Sequence, residues 1–218
     1  MGQRRDGQET RDHLLAAAVE VFSERGYRDA PVAEICARAE ANIAAVNYHF
    51  GSKEVLYKEV WKLLLEERHK LFPAEQGLAS DAPLEERLAA HIHTMLKRMT
   101  HRGRPGCVHR LHEHERSHPT GLVDDVIRQA REPSRQVLEA LIEESLGPDA
   151  SDEVKGFAAY SVINQCRGVM AHNDKMIRGV LGQAITGPTL ERLAVHIARF
   201  SMGGMERVRH MSNQGDQG

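Results

Sequence analysis

The run N-I-A-A-V-N-Y-H-F-G-S-K-E-V-L-Y-K, from Asn42 to Lys58, decides how the rest of the chain is read. Asn42 has the side chain of an N-cap, and Ile43 to Phe50 supplies barely two helical turns before Gly51 and Ser52 interrupt the pattern. Ser52 can cap a second helix, along which Leu56, Val60, Leu63 and Leu64 recur at helical spacing. Two turns are too few to be stable alone in water, so the short helix must be held by tertiary contacts. It sets Ala44 and Ala45 beside the polar cluster Asn47, Tyr48 and His49. A small face next to a polar one suits close approach to a large partner such as the major groove of DNA.

Around this run the composition is that of an α-helical globular chain. The 218 residues are 41% apolar and 28% charged, aromatic residues make up 5%, and alternating β-branched stretches are missing. No apolar run reaches the roughly 18–20 residues that cross a bilayer. The polar start, M-G-Q-R-R-D-G-Q-E-T, has no apolar segment behind its arginines, so no secretory signal is expected. Cys36, Cys107 and Cys166 are odd in number and far apart, which fits a reducing cytoplasm better than a disulfide framework or a paired-cysteine zinc site. Charge does not advertise a nucleic-acid partner. The net charge is −2, and residues 1–60 hold 8 Lys/Arg against 10 Asp/Glu.

Residues 1–9 read as a disordered, mildly basic arm. Thr10 then caps a helix to Arg25, with Leu14, Leu15, Ala18, Val19 and Phe22 on one stripe and Gly26 as its stop. A second helix follows Pro31 and runs to about Glu40. With the short third helix it makes a three-helix block over 10–57, the last two helices joined by a tight turn in the manner of a helix-turn-helix. A fourth helix continues to about Phe72, and Pro73 to Pro83 is a linker. Residues 58–210 are expected to form a second helical domain, and 211–218 a disordered tail. Its helices are predicted over Leu84–Thr100, a short segment to Ser117, Thr120–Leu146 with a kink at Pro133, Glu153–His172, and Thr189–His210 after a loop at Gly179–Pro188.

The ordered positions Phe22, Gly26, Tyr27, Val32, Ile35, Ala39, Tyr48, His49, Phe50, Ser52, Lys53 and Leu56 resemble the N-terminal domain of the TetR family of bacterial transcriptional regulators. Asn47 before Tyr48, the I-A-A-V lead, and the order Glu115, Pro119-Thr120, Pro133, Leu146-Gly147 and Ser161 to Cys166 resemble the CecR-type branch of that family. The resemblance implies an all-α, cytoplasmic, homodimeric regulator, most often a repressor, joined through its last two helices. Its partner would be palindromic or near-palindromic double-stranded operator DNA. It implies no enzymatic activity, cofactor or resident metal. The third helix would enter the major groove, with Ile43, Ala44, Ala45 and Asn47 at base edges, and with Tyr48, His49 and Lys53 on phosphates. Val46 and Phe50 would be core. Where the family usually has a small hydroxyl residue this chain has Pro31, and where it often has glycine this chain has Glu40.

In the family the fifth to eighth helices enclose a small-molecule effector. The resemblance implies that Met95, Met99, Leu111, Val126, Val162, Gln165 and Met170 line that pocket, though each is also an ordinary core residue type. Two rival readings come from the His-rich stretch. His114-Glu115-Arg116-Ser117-His118 fits H-E-x-x-H, the pattern of a zinc-dependent hydrolase, although Pro119 disfavours helical geometry at His118. A metal-responsive regulator could instead draw on His109, His112, Glu113, His114 and His118.

Overall fold

The computed structural model describes residues 2–74, 81–101, 104, 107–171 and 174–215, and the side chains of 7–74, 81–101, 104, 107–169 and 175–211. All regular structure among them is helical: α1 (Gly2–Arg25), α2 (Val32–Arg38), α3 (Ile43–Phe50), α4 (Lys53–Leu71), α5 (Leu84–Thr100), α6 (Cys107–Ser117), α7 (Asp124–Leu146), α8 (Asp152–Ala171), α9 (Asp174–Leu181) and α10 (Gly187–Gly215). The chain divides into two compact units, residues 1–70 with 102–130, and residues 71–101 with 131–218. The first unit is larger than the three-helix block of 10–57, because α4, α6 and the start of α7 share its core.

That core is built on helical periodicity. Leu14, Ala18 and Phe22 of α1 meet Ile35 of α2, Val46 and Phe50 of α3, and Leu56, Tyr57, Val60, Trp61 and Leu64 of α4. Cys107, Val108 and Leu111 of α6 and Val123 close it from the other side. Tyr57 is the aromatic hub, edge-on to Phe22 at 4.9 Å and tilted against Tyr27 at 5.0 Å between centroids. A fully buried tyrosine needs a partner for its hydroxyl. Tyr57 finds one 58 residues away, donating to Glu115 Oε1 of α6 at 2.8 Å.

The second unit packs Leu88, Ile92 and Leu96 of α5 against Leu138, Leu141 and Ile142 of α7, Val162 and Cys166 of α8, and Leu190, Ala194 and Ile197 of α10. One face of α8 and α10 is left uncovered. Phe157 and Phe200 are 64% and 68% exposed and border a groove of about 290 Å³, lined also by Ala158, Ser161, Gln165 and Gly204.

Four helix boundaries depart from the periodic pattern. The first helix starts at Gly2 rather than Thr10, and the expected arm is helical. Gln8 donates to Asp12 one turn on at 2.8 Å, and a side chain in place of Gly7 would come within 4.0 Å of the His49 ring. α7 runs on through Pro133, where a kink or an interruption was expected, without being interrupted. Glu132–Arg135, Arg135–Glu139 and Gln136–Glu132 side-chain pairs support the turns that follow the proline. α9 begins in the unassigned stretch after the helix expected to end at His172 and runs into the start of the loop expected over Gly179–Pro188. Gly179 sits inside it, while Gly182, at φ 68°, is the actual stop. Finally, α10 begins at Gly187 and continues to Gly215, past Gly203-Gly204 and the expected end at His210.

One buried group makes stability pH-dependent. His91 of α5 is 3% exposed, and burial pushes its pKa from the ordinary 6.5 down to about 4, against weak support from the Ala74 and Ser134 backbones. The unfolded chain takes up a proton near pH 6.5 that the folded chain refuses until about pH 4. Stability is therefore full above pH 6.5 and is lost as the pH falls through that window, by roughly 3 kcal/mol from this residue. Urea unfolding at pH 7.5 and pH 4.5 measures it. His91→Leu should cut the difference by about that amount, and an unchanged difference would show that His91 is not its source.

Candidate nucleic-acid interface

α3 is held at both ends and from beneath. The Asn42 side chain accepts from Ala45 N at 2.9 Å, which caps the first turn. At the other end Gly51 takes φ 78°, a left-handed value for which glycine has no steric cost, and its N–H donates to the Asn47 carbonyl at 3.0 Å. Val46 and Phe50 point into the core, 1% and 6% exposed. The Arg11 guanidinium lies 5.0 Å above the Phe50 ring, tying α1 to the same anchor. The opposite face is bare. Ile43 is 55% and Tyr48 84% exposed, and Ala44 and Asn47 are exposed as well.

Of the seven residues assigned to DNA, Ile43, Ala44, Asn47 and Tyr48 share this open face. Ala45 is half-buried and packs against the core, so only part of it is accessible. His49 is half-buried, edge-on to Tyr48 at 4.9 Å. Lys53 is turned inward. Its ammonium sits 4.8 Å above the Tyr27 ring and donates to the Arg28 carbonyl at 3.4 Å, and desolvation lowers its pKa. A phosphate would have to draw Lys53 off this seat. Sequence reasoning could not find that, because the competing ring is 26 positions away.

Of the two departures from the usual pattern, Glu40 lies in the turn between α2 and α3 and Pro31 lies before α2. Glu40 has φ 52°, the only positive φ of a non-glycine among the described residues. Its N–H donates to the Ala37 carbonyl, and Ala41 N–H donates to the Cys36 carbonyl at 2.9 Å, closing a left-handed helix stop. Glycine fits such a position without cost, and glutamate is strained there. Pro31 stands at the N-cap of α2 with no side-chain cap bond. Four of the ten acids of residues 1–60 are held in ion pairs among the described residues. Arg38 gathers Glu20, Glu24 and Glu34 at 3.5, 2.7 and 2.7 Å, and Arg25 pairs with Glu34 at 2.9 Å. Glu59 is shared between Arg11 and Lys62. No acid lies on α3 itself.

The H-E-x-x-H segment is engaged in holding the unit together. Glu115 accepts from Tyr57 Oη, from Thr120 N at 2.9 Å and from Thr120 Oγ1 at 2.9 Å, so both of its oxygens are occupied. The His114 ring lies against Gly26, where a Cβ would meet it at 3.0 Å, and Gly26 also needs its φ of 72° to end α1. His112 stacks edge-on against Trp61, and Glu113 pairs with Arg116. His118 is exposed past the end of α6. Among the described residues no group of three or more His, Cys, Asp or Glu is placed to hold a metal ion.

The seven residues assigned to an effector pocket are divided between the units. Leu111 is fully buried in the core of the first unit and Val126 packs against that same core. Val162 is buried in the second core, with Met95 and Met99 against it. Gln165 lines the α8–α10 groove and donates to Ser201 Oγ at 3.2 Å. The Met170 side chain lies outside the described residues.

Family models match both parts of the chain. Residues 14–60 match the N-terminal domain of the tetR family of bacterial regulatory proteins. Residues 84–205 match the C-terminal domain of the HTH-type transcriptional dual regulator CecR. The chain belongs to the TetR family of transcriptional regulators, with a CecR-type C-terminal part. It is 31% identical over 157 residues to the dual regulator CecR of Shigella flexneri, covering 67% of this chain and 69% of that one. It is 43% identical over 51 residues to the transcriptional repressor NicS of Pseudomonas putida, covering 23% and 24% of the two chains. Among solved structures, a TetR regulator from Chloroflexus aurantiacus aligns with a TM-score of 0.59 at 20% identity over 90% of this chain and 96% of that one. The fatty acid degradation regulator FadR of Bacillus halodurans aligns with a TM-score of 0.59 at 19% identity, covering 88% and 98%. No helix among the described residues is long and apolar enough to cross a membrane.

Glu40→Gly relieves the left-handed strain and removes a negative charge from the turn leading into α3. It should stabilise the fold by about 1 kcal/mol in urea unfolding and tighten DNA binding in the same preparation. Asn42→Ala should cost about 1 kcal/mol through the lost cap. Unchanged unfolding in both variants would mean that the two ends of the α2–α3 turn are not stressed and held as described.

Proposed function

We propose that this regulator is a cytoplasmic homodimeric repressor whose two α3 helices enter successive major grooves of a near-palindromic operator, and whose affinity is lowered by a small-molecule effector. The observation that carries the reading is the contrast within α3. Val46 and Phe50 are sunk in the core while Ile43, Ala44, Asn47 and Tyr48 stand free on one face. Asn47 has the amide that pairs with an adenine edge, and Ile43 and Ala44 have methyl groups to lie on thymine. The exposed Tyr48 hydroxyl has the chemistry to bond a phosphate, which would set register without reading sequence.

Dimerisation is supported by the uncovered face of α8 and α10. Phe157, Tyr160, Phe200 and Met211 are each at least 60% exposed there, an apolar area that a monomer in water would not favour. A two-fold axis brings the same patch of each copy together and fixes the spacing of the two α3 helices, which must be about 34–36 Å or a multiple of it. An effector acts by binding one spacing better than the other, so its leverage equals its differential affinity for the two arrangements. No bond is made or broken in this cycle.

Two variants test the proposal with operator-binding titrations. Tyr48→Ala should weaken binding about tenfold, to a similar degree across different operator sequences; full affinity would remove Tyr48 from the interface. Phe157→Glu combined with Phe200→Glu should give a folded monomer in light scattering with operator affinity reduced at least 100-fold. A double variant that remains dimeric would place the interface elsewhere.

A further inference from the structure

Only Gly51 and Ser52 separate Lys53, the first residue of α4, from the end of α3. A lysine at that point has the reach to join Tyr48 on a DNA backbone, yet its side chain is folded back. The ammonium lies 4.8 Å above the Tyr27 ring and donates to the Arg28 carbonyl at 3.4 Å. Both halves of this seat are fixed by other contacts of the first unit. The Tyr27 ring is stacked with Phe22 at 6.3 Å and tilted against Tyr57 at 5.0 Å between centroids. Tyr57 is itself held through its hydroxyl by Glu115. Arg28 is tied by its guanidinium to the Pro119 carbonyl at 3.3 Å, so the carbonyl that Lys53 bonds belongs to an anchored residue.

The seat is rigid but electrically poor. Neither an aromatic ring nor a carbonyl carries a negative charge, and desolvation lowers the Lys53 pKa against the opposing pull of Asp29. A cation over an aromatic face at a partly exposed position is worth a factor of about two to five in an equilibrium. A charge-assisted hydrogen bond to phosphate is roughly twice as strong as a neutral one, and the flexible lysine stem can swing to reach it. Lys53 therefore gains by leaving for a phosphate, but the seat must be given up first, and its loss is subtracted from DNA affinity.

We propose that the Tyr27 ring and the Arg28 carbonyl form a latch that holds Lys53 off DNA in the free protein, so that Tyr27, without touching DNA, sets how much affinity Lys53 adds. The inference rests on the reading of α3 as the helix that meets DNA and adds Lys53 to that contact. Tyr27 is a positioning residue in this account. A phosphate carries no sequence information, so the latch scales affinity alike on every duplex.

Titration of the full-length protein with a mixed-sequence duplex at several salt concentrations tests it, since a phosphate contact needs no operator. Tyr27→Leu removes the ring, keeps an apolar side chain against the core, and should raise affinity about two- to fivefold. Tyr27→Phe keeps a ring face for the cation and should leave affinity unchanged. Lys53→Gln should lower affinity and reduce the slope of log K against log salt by about one. In the Lys53→Gln background Tyr27→Leu should change nothing, because the latch then holds nothing. No gain from Tyr27→Leu, a gain that survives without Lys53, an equal gain from Tyr27→Phe, or a salt slope unchanged by Lys53→Gln overturns the latch.

If Tyr27→Leu folds poorly, NMR of the wild type keeps the test open. The Lys53 ε-methylene protons, assigned by their absence in Lys53→Arg, should resonate upfield of other lysines because of the ring beneath them. Adding the duplex should return them to the ordinary lysine position. Protons unshifted in the free protein, or still upfield in the complex, overturn the latch. The latch and the placement of α3 fail separately. Lys53 protons that stay upfield in a complex weakened by Tyr48→Ala retain the α3 interface and sink the latch. Lys53 protons released by DNA that Tyr48→Ala binds at full affinity retain the latch and remove Tyr48 from the interface.

Discussion

Val46 and Phe50 seat the helix on which this protein's function depends. α3 has eight residues, too few to persist by its own hydrogen bonds. It exists because these two side chains fill the first core and because Asn42 and Gly51 close its ends. Burial of one side sets the rotation of the helix, and that rotation presents Ile43, Ala44, Asn47 and Tyr48 together to solvent. The same Phe50 ring receives Arg11 of α1, so the first helix braces α3.

A second constraint comes from a buried hydroxyl. Tyr57 is central to the aromatic cluster and has to satisfy its oxygen inside the protein, which brings Glu115 of α6 to it. Glu115 also takes the Thr120 backbone and hydroxyl, and Arg28 donates to the Pro119 carbonyl at 3.3 Å. The residues that would have formed a metal motif in another setting thereby weld α6 onto the helix-turn-helix. Through these contacts α6 is tied, within the first unit, to α4 and to Gly26 at the end of α1.

The helical architecture was legible because apolar periodicity and caps are local. Ile43–Phe50, Leu84–Thr100 and the end of α6 at Ser117 follow from nearby residues alone. What escaped were features decided at a distance. α7 continues through Pro133 with ion pairs along the turns that follow, and α1 begins at Gly2 ahead of the apparent cap at Thr10. Lys53 looked free for a phosphate because nothing in its neighbourhood of sequence reveals Tyr27 beneath it. The proposed effector residues show the same limit: Leu111 and Val162 have the right character for a pocket wall, and each is buried in the core of a different unit. Glu40 marks the reverse case, an apparently unfavourable residue whose strain becomes intelligible once its φ of 52° is known.

The acidic balance of residues 1–60 also takes on a different meaning once Arg38 is seen collecting three of the glutamates. On the function proposed above, DNA affinity would depend on a small set of polar and apolar contacts from α3 rather than on a broad positive surface, with Asn47 reading sequence. Selection of binding sites from random-sequence DNA, run in parallel for the wild type and Asn47→Ala, addresses it most directly. The account predicts that the wild type enriches a near-palindrome with half-sites one helical turn, or a multiple of it, apart. Asn47→Ala should relax the preference at a symmetric adenine position in each half-site, while the other positions stay fixed. Enrichment of the same sequence by both proteins, or of no sequence by the wild type, would contradict it.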